Sequence, residues 1–160
     1  MRAEEGLPVG DVVTTYLELT SAAGIRPARP VDVEIVRVDP PDGAINQRFY
    51  ESVGAEHDWI DHRDKDDAWW QAHAAAVETW IVPEAGYYEL ELTGDDVLIA
   101  HFGLVPAAQG RGLGGHLLTH ALRRAFELGS RAWLHTCTLD GPHALANYEA
   151  RGMVTYRVER

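Results

Sequence analysis

Cysteine is nearly absent: Cys137 is the only one in 160 residues. A single thiol excludes an intrachain disulfide and suits a reducing compartment. Long apolar runs are absent too. No stretch approaches the ~20 residues that a membrane-spanning helix needs. Met1–Gly10 (MRAEEGLPVG) is acidic and has no apolar core of the kind a secretory leader carries. The expectation is a cytoplasmic protein that does not engage a membrane. Basic charge is scarce, with 14 Lys and Arg against 25 Asp and Glu, a formal net charge of −11. A nucleic-acid binder needs a basic face against phosphate, so no nucleic-acid partner is expected. A negative field instead favours approach of a cationic ligand such as an amine. Internal repeats and low-complexity tracts are missing as well. The length and the 46% hydrophobic content suit one domain with its own core.

The periodicities that are present alternate between strand and helix. Val12–Thr20 (VVTTYLELT) is β-branched and aromatic, and Val31–Val38 (VDVEIVRV) alternates with period 2; both read as strands. Ala44–Val53 reads as a short helix. A second helix follows Asp61–Asp67, whose acids suit a helix N-terminus, and is expected to run to Thr79. Gly86–Leu92 and Val97–Val105 are two strands joined by TGDD, a hairpin turn. Leu113, Leu117, Leu118, Ala121, Leu122, Ala125 and Phe126 follow the spacing of a buried helix face. Ala132–Leu139 reads as a central strand, a helix begins at Pro142, and Val154–Val158 is a last strand. Hairpins mixed with crossover helices predict an α/β (α+β) fold, a mixed sheet flanked by helices.

Between the strand ending at Val105 and the helix from Leu113 lies QGRGLGG (Gln109–Gly115). Glycine costs a helix roughly 1 kcal/mol per residue against alanine. A helix N-terminus offers unpartnered N–H groups and positive dipole, and glycines leave it open to an anion, so the segment reads as a phosphate cradle. The P-loop tripeptide Gly-Lys-Ser/Thr is absent. A literal G-x-G-x-x-G over Gly110, Gly112 and Gly115 keeps a dinucleotide site open, as does glycine serving only close packing.

Gln109-Gly110-Arg111-Gly112-Leu113-Gly114 resembles Q/R-x-x-G-x-G/A, the acetyl-CoA-binding motif of the GNAT N-acetyltransferase superfamily. Leu104-Val105-Pro106 before it and Tyr148-Glu149-Ala150-Arg151-Gly152-Met153 after it, similar to the family's Y-E-x-x-G-F, fit the same pattern. The resemblance covers Val97 to about Val158, and GYYEL, FGL, TCTLD and NYEARG also look like a little-described bacterial subgroup. It implies a mostly antiparallel twisted sheet with a splayed central strand pair, within one domain over residues 1–160. Residues 1–96 would supply N-terminal strands and acceptor-site helices, and 97–160 the acetyl-CoA-binding half. It also implies acetyl-CoA as cofactor, CoA as product and an amine as acceptor. Backbone N–H groups of Gln109, Gly110, Arg111, Gly112, Leu113, Gly114 and Gly115 would hold the diphosphate. A bulged strand at Gly103–Val105 would pair with the pantetheine arm through Leu104 and Val105, the Val105 N–H would face the oxyanion, and Asn147 and Tyr148 would lie along the arm.

The chemistry needs a neutral amine, a donor for the oxyanion and a proton for the leaving thiolate. Tyr148 is the expected general acid, because a phenol stays protonated at neutral pH. Glu89, among the aromatics of GYYEL, is a candidate base or ammonium-binding group, and His101 is a second candidate base. Trp59, Trp69, Trp70 and Trp80 with Asp61, Asp64 and Glu78 are candidate contacts for a cationic acceptor. His135 and Cys137 share a strand face, but two ligands do not make a zinc site; no metal is expected, and Cys137 reads as a core residue. The acceptor reads as a small-molecule amine or amino acid. The alternatives are a protein lysine or N-terminal substrate, or an acyl-CoA sensor without turnover. The resemblance also leaves one strand too few after the last helix. Val12–Thr20 is expected to fill the slot beside Ala132–Leu139, within the chain or from a homodimer partner, since a bare edge invites aggregation. Asp140-Gly141 stands where many relatives have an asparagine on the arm.

Overall fold

A computed structural model of the chain describes residues 12–55, 59, 61–140 and 142–160. The expectations for Met1–Gly10 and for Gly141 lie outside the described residues. The elements are β1 (Thr14–Leu19), β2 (Val36–Arg37), α1 (Gly43–Gly54), α2 (Asp67–Ala76), β3 (Glu78–Val82), β4 (Gly86–Thr93), β5 (Asp96–Leu104), α3 (Leu113–Leu128), β6 (Arg131–Cys137), α4 (Pro142–Ala150) and β7 (Val154–Glu159). Seven strands form one sheet in the order β2-β3-β4-β5-β6-β1-β7. Neighbours are antiparallel except β5 and β6, which α3 connects as parallel strands. This is the mixed, mostly antiparallel sheet the sequence predicts. Among the described residues no helix is long and apolar enough to cross a membrane.

Tyr87 and Tyr88 are both fully buried. Adjacent strand residues face opposite ways, so the sheet is covered on both sides here. Tyr88 and Leu90 pack with Leu117, Leu118, Leu122 and Ala125 of α3, the larger core. Burying each of these leucines contributes about 1.5–3 kcal/mol. Tyr87 packs with Phe49 and Val53 of α1 in a second, smaller core. α1 and α2 touch closely. An added Cβ on Gly43 would come within 2.5 Å of the Trp70–Gln71 backbone. Gly43→Ala is therefore expected to cost about 1–3 kcal/mol, read as a lower denaturant midpoint at unchanged slope.

β1 fills the slot beside β6 from within the chain and is itself flanked by β7, running from Thr14↔Cys137 to Leu19↔Ala132. Leu17 and Leu19 point into the larger core, while Glu18 pairs with Arg131 at 2.7 Å.

Three expectations differ. The second helix stops at Ala76, Val77 turns extended, and Glu78–Val82 becomes a strand. Thr79, Trp80, Ile81 and Val82 favour a pleated surface, and β4 is there to pair with them. Val31–Val38 is sheet only at Val36–Arg37. Upstream the chain is tied to α3 by side chains, through Ala28 N–H to Thr119 Oγ1 at 3.0 Å and Val31 N–H to His116 Nδ1 at 3.4 Å. The bulge expected at Gly103–Val105 lies earlier in β5. Glu89 pairs with His101 and Leu90 with Ile99, so Ala100 is the extra residue. The bulge changes the parity of β5. Val97 and Ile99 before it, and Phe102 and Leu104 after it, all meet the larger core, which leaves His101 and Gly103 toward α1.

Candidate functional site

β5 and β6 pair only from Asp96↔Arg131 to Leu98↔Trp133. Beyond that they part, the splay the resemblance implies. The gap is a cavity of about 790 Å³ walled by Ile99–Leu104 on one side and Leu134–Cys137 on the other. Gln109, Gly110 and Gly114 close one end, Asn147 and Tyr148 lie along it, and Tyr50, Trp59, Asp61 and His101 line it as well. The size is that of a small-molecule or cofactor site.

At the glycine turn the backbone is left-handed at Gly110 (φ 81) and Gly112 (φ 76), and a Cβ at either would meet nothing within 4 Å. These two glycines permit the turn and keep the start of α3 bare. Gly112 is the N-cap and supplies no side-chain acceptor, so α3 begins without a side-chain cap. Gly115 differs: its Cβ would come within 2.9 Å of the Ala28 Cβ as well as meeting the Arg151 guanidinium, so here close packing is the reason for glycine. Leu113 is core, 6% exposed. Arg111 folds back to donate to the Ala107 carbonyl at 2.6 Å. Asn147 Nδ2 donates to the Gly114 carbonyl at 3.2 Å and ties α4 to the start of α3.

One cofactor expectation needs correction. The Val105 N–H donates to the Ala85 carbonyl at 2.8 Å and is not free for an oxyanion. Successive N–H groups of an extended strand point to opposite edges, so the Leu104 N–H faces the β6 side, where the gap opens. Asp140 closes the turn after β6, accepting from Thr136 Oγ1 at 2.6 Å and from the Cys137 N–H at 3.0 Å. Cys137 lines the cavity and is half-buried, not the core residue expected.

Tyr148 is 8% exposed and lines the cavity. Burial first, then the Asp140 charge, pushes its phenol up, so it is protonated across the physiological range. Glu89 and His101, weighed separately in the sequence, form one unit. His101 Nδ1 lies 2.8 Å from Glu89 Oε1. His73 Nε2 of α2 lies 2.8 Å from the same oxygen, and Asn46 Nδ2 of α1 donates to Oε2 at 2.7 Å. Glu89 is fully buried, so it is not the surface group that would touch an ammonium directly. Burial alone would raise its carboxyl, but hydrogen bonds from His101 and His73, and their charge, hold it at about 2. An ionised carboxylate only accepts, so both ring nitrogens facing it carry protons. With Nδ1–H spent on Glu89, neutral His101 has its lone pair on Nε2.

The aromatics divide. Trp70 is core at 1% exposure, Trp69 stacks on His73 with centroids 5.1 Å apart, and Trp59 packs against His101 at 5.2 Å. Glu78 and Trp80 are not at this site: Glu78 accepts from Trp80 Nε1 and pairs with Arg124 of α3. Asp64 does not line the cavity. The sequence reading missed His73 and Asn46. Asn46 interrupts the apolar stripe of Phe49, Tyr50 and Val53, and His73 follows Trp69 and Trp70 by four and three residues. Both were visible as polar residues on buried faces, but their shared partner is on another element.

The same architecture occurs in solved structures. A GCN5-related N-acetyltransferase from Sphaerobacter thermophilus aligns with a TM-score of 0.67 at 15% identity, over 92% of this chain and 49% of that one. One from Kribbella flavida aligns at 0.61 and 16% identity, over 96% and 60%. A functionally unknown conserved protein from Staphylococcus epidermidis aligns at 0.60 and 19% identity, over 92% and 59%. The chain thus spans about half to three-fifths of the length of these proteins, and at such identities the likeness shows the fold alone. No curated protein matches. The model of the acetyltransferase (GNAT) family matches residues 39–153, well over half of the chain and all of the splayed strands, glycine turn and Tyr148, and this chain belongs to that family, which transfers acyl groups from acyl-CoA.

Proposed function

We propose that the chain moves an acetyl group from acetyl-CoA to a primary amine of a small molecule or amino acid by direct attack. The observation that carries this reading is the gap between β5 and β6, which runs from Tyr148 and His101 to an uncapped, glycine-bared helix start. Backbone N–H groups around Gly110–Gly114 would meet the diphosphate where the positive end of α3 favours an anion. The pantetheine arm would lie along Phe102–Leu104 as an added strand.

The residues at the other end then divide the proton transfers. The acceptor amine enters past Tyr50, Trp59 and Asp61. His101 Nε2 takes its proton, and Glu89 fixes the tautomer and stabilises the imidazolium that forms. Bound acetyl-CoA would supply a thioester carbonyl open to the amine lone pair, and the Leu104 N–H would face that carbonyl oxygen as charge develops. Tyr148 would protonate the departing thiolate, and the phenolate so left would take the second proton of the amine nitrogen, so that amide and free thiol leave neutral.

The experiment is acetyl-CoA turnover across amines, amino acids and basic peptides, detecting free thiol, with Tyr148→Phe beside the wild type. Turnover with one acceptor class, at least tenfold slower in the variant (about 1.4 kcal/mol of barrier), is expected. Unchanged turnover in the variant removes Tyr148 as the acid. Tight acetyl-CoA binding without turnover for any acceptor favours a sensor.

A further inference from the structure

His73, Glu89 and His101 come from α2, β4 and β5 and place two imidazole nitrogens on one carboxylate oxygen. All three ligand atoms lie within 4.8 Å of one another. Two histidines and one carboxylate are a donor set for borderline divalent metals, which bind each at about 2.0–2.2 Å. Each nitrogen is 2.8 Å from Oε1. Bonds of that length to one ion need neighbouring donors roughly 3 Å apart, so a sub-ångström opening admits it.

The surroundings are those of a held ligand set. Asn46 fixes Oε2 and leaves Oε1 to the histidines. Trp69 lies nearly parallel to the His73 ring, 6° between planes, and Tyr50 meets the His101 ring edge-on at 88°. Glu89 is fully buried and so already desolvated.

A second observation is independent of the triad. Among the described residues five buried side-chain polar atoms have no hydrogen-bond partner, and four belong to Asn46, His62, Trp70 and Tyr87. Asn46 bonds to Glu89, Trp70 lies 5.8 Å from His73 between ring centroids, and His62 and Tyr87 lie 5.8 and 6.5 Å from His101. Buried polar groups are normally paired. One of the four is thus on a partner of Glu89 and three are on side chains whose rings pack against His73 or His101, polar surroundings with pairing capacity to spare for a further polar occupant such as the water that completes a three-ligand zinc site.

We propose that His73 Nε2, Glu89 Oε1 and His101 Nδ1 form a site for a divalent transition metal of the zinc class, and that its occupancy switches His101 off as a base. The ion replaces the two N–H protons. The proton on His101 Nδ1 moves to Nε2, and that on His73 Nε2 moves to its Nδ1, or to solvent where the ring is cationic. His101 then presents an N–H where it had a lone pair, so it can no longer accept a proton from an amine. The binding half of this proposal is independent of the acyl-transfer reading; the inhibitory half rests on it.

The test begins with protein stripped by chelator and uses Co²⁺ as an optical probe and Zn²⁺ in calorimetry. One equivalent is expected to bind, with the visible absorption of four- or five-coordinate cobalt and a raised Tm, because the ion joins α2 to the sheet. His73→Ala and Glu89→Gln should each weaken binding at least tenfold, and Asn46→Ala by about tenfold. His143→Ala, which alters a cavity histidine outside the triad, should not. Far-UV circular dichroism checks each fold, and His73→Asn replaces any variant that fails to fold. Absence of one-to-one binding, or binding unchanged in the His73 variants, overturns the site. If the wild type turns over, Zn²⁺ should inhibit it and chelator should restore it; stoichiometric binding without inhibition overturns the switch and leaves the site.

Discussion

His101→Gln is expected to lower kcat/KM by about 10²–10⁴, the range for loss of a positioned general base, while acetyl-CoA affinity changes little. His101 packs against Trp59 and Tyr50, whereas it is Leu104, three residues on, that lies beside Gly114 of the glycine turn. Glutamine retains a donor toward Glu89 but has no basic nitrogen at the position of Nε2. The result to look for is therefore a fall in kcat with the acetyl-CoA dissociation constant preserved. A turnover number unchanged in His101→Gln would mean that a water chain carries the proton. A parallel loss of acetyl-CoA binding would mean that the ring matters for the shape of the gap rather than for proton transfer.

Glu89→Ala is expected to destabilise the fold by about 3–5 kcal/mol, the cost of removing one partner from a buried charged network. It would deprive His73 Nε2 and His101 Nδ1 of that acceptor and leave Asn46 Nδ2 with Thr79 alone. Glu89→Gln is the milder variant, since an amide oxygen still accepts. The pH dependence separates the charge from the packing. The carboxyl is held at about 2, below its ordinary 4.5, so folding favours the ionised form. The stabilisation is therefore complete above about pH 4.5 and is lost as pH falls toward 2. His73 is shifted the other way. Burial lowers it, but the Glu89 hydrogen bond and charge leave it above 6.5, so its share is complete below pH 6.5 and is lost as pH rises past the raised value. In metal-free buffer, the denaturant midpoints of wild type and Glu89→Gln should differ most between pH 4.5 and 6.5 and converge toward pH 2. A gap that persists unchanged at the acid end would assign the effect to packing rather than to charge.

The glycine turn, the helix after it and the placing of Tyr148 were legible in the sequence. Gly110 and Gly112 announce a left-handed turn, Leu117, Leu118 and Ala121 announce the helix that follows, and Tyr148 sits in a motif of fixed spacing. Each signal is local, within a few residues of the backbone it shapes. The slot beside β6 was also expected, from the resemblance, which leaves one strand too few after the last helix, and from the aggregation that a bare edge invites. Val105 failed because the turn before β4 brings Ala85 up to its N–H, a contact across twenty residues that no spacing records. Glu78 failed because the helix expected through Thr79 became a strand, which turned the side chain to α3.

What the sequence alone determined is the order of elements from β5 to β7 and the glycine turn, since periodicity and backbone conformation are properties of short segments, and, through the resemblance, Tyr148 as the candidate acid. What only tertiary structure decided is the triad of His73, Glu89 and His101. Their meeting depends on the end of α2, on the β4–β5 register and on the bulge at Ala100 that leaves His101 facing the same side as Glu89. Burial turns three ordinary side chains into one charged network, because a desolvated carboxylate must find partners wherever the packed elements supply them.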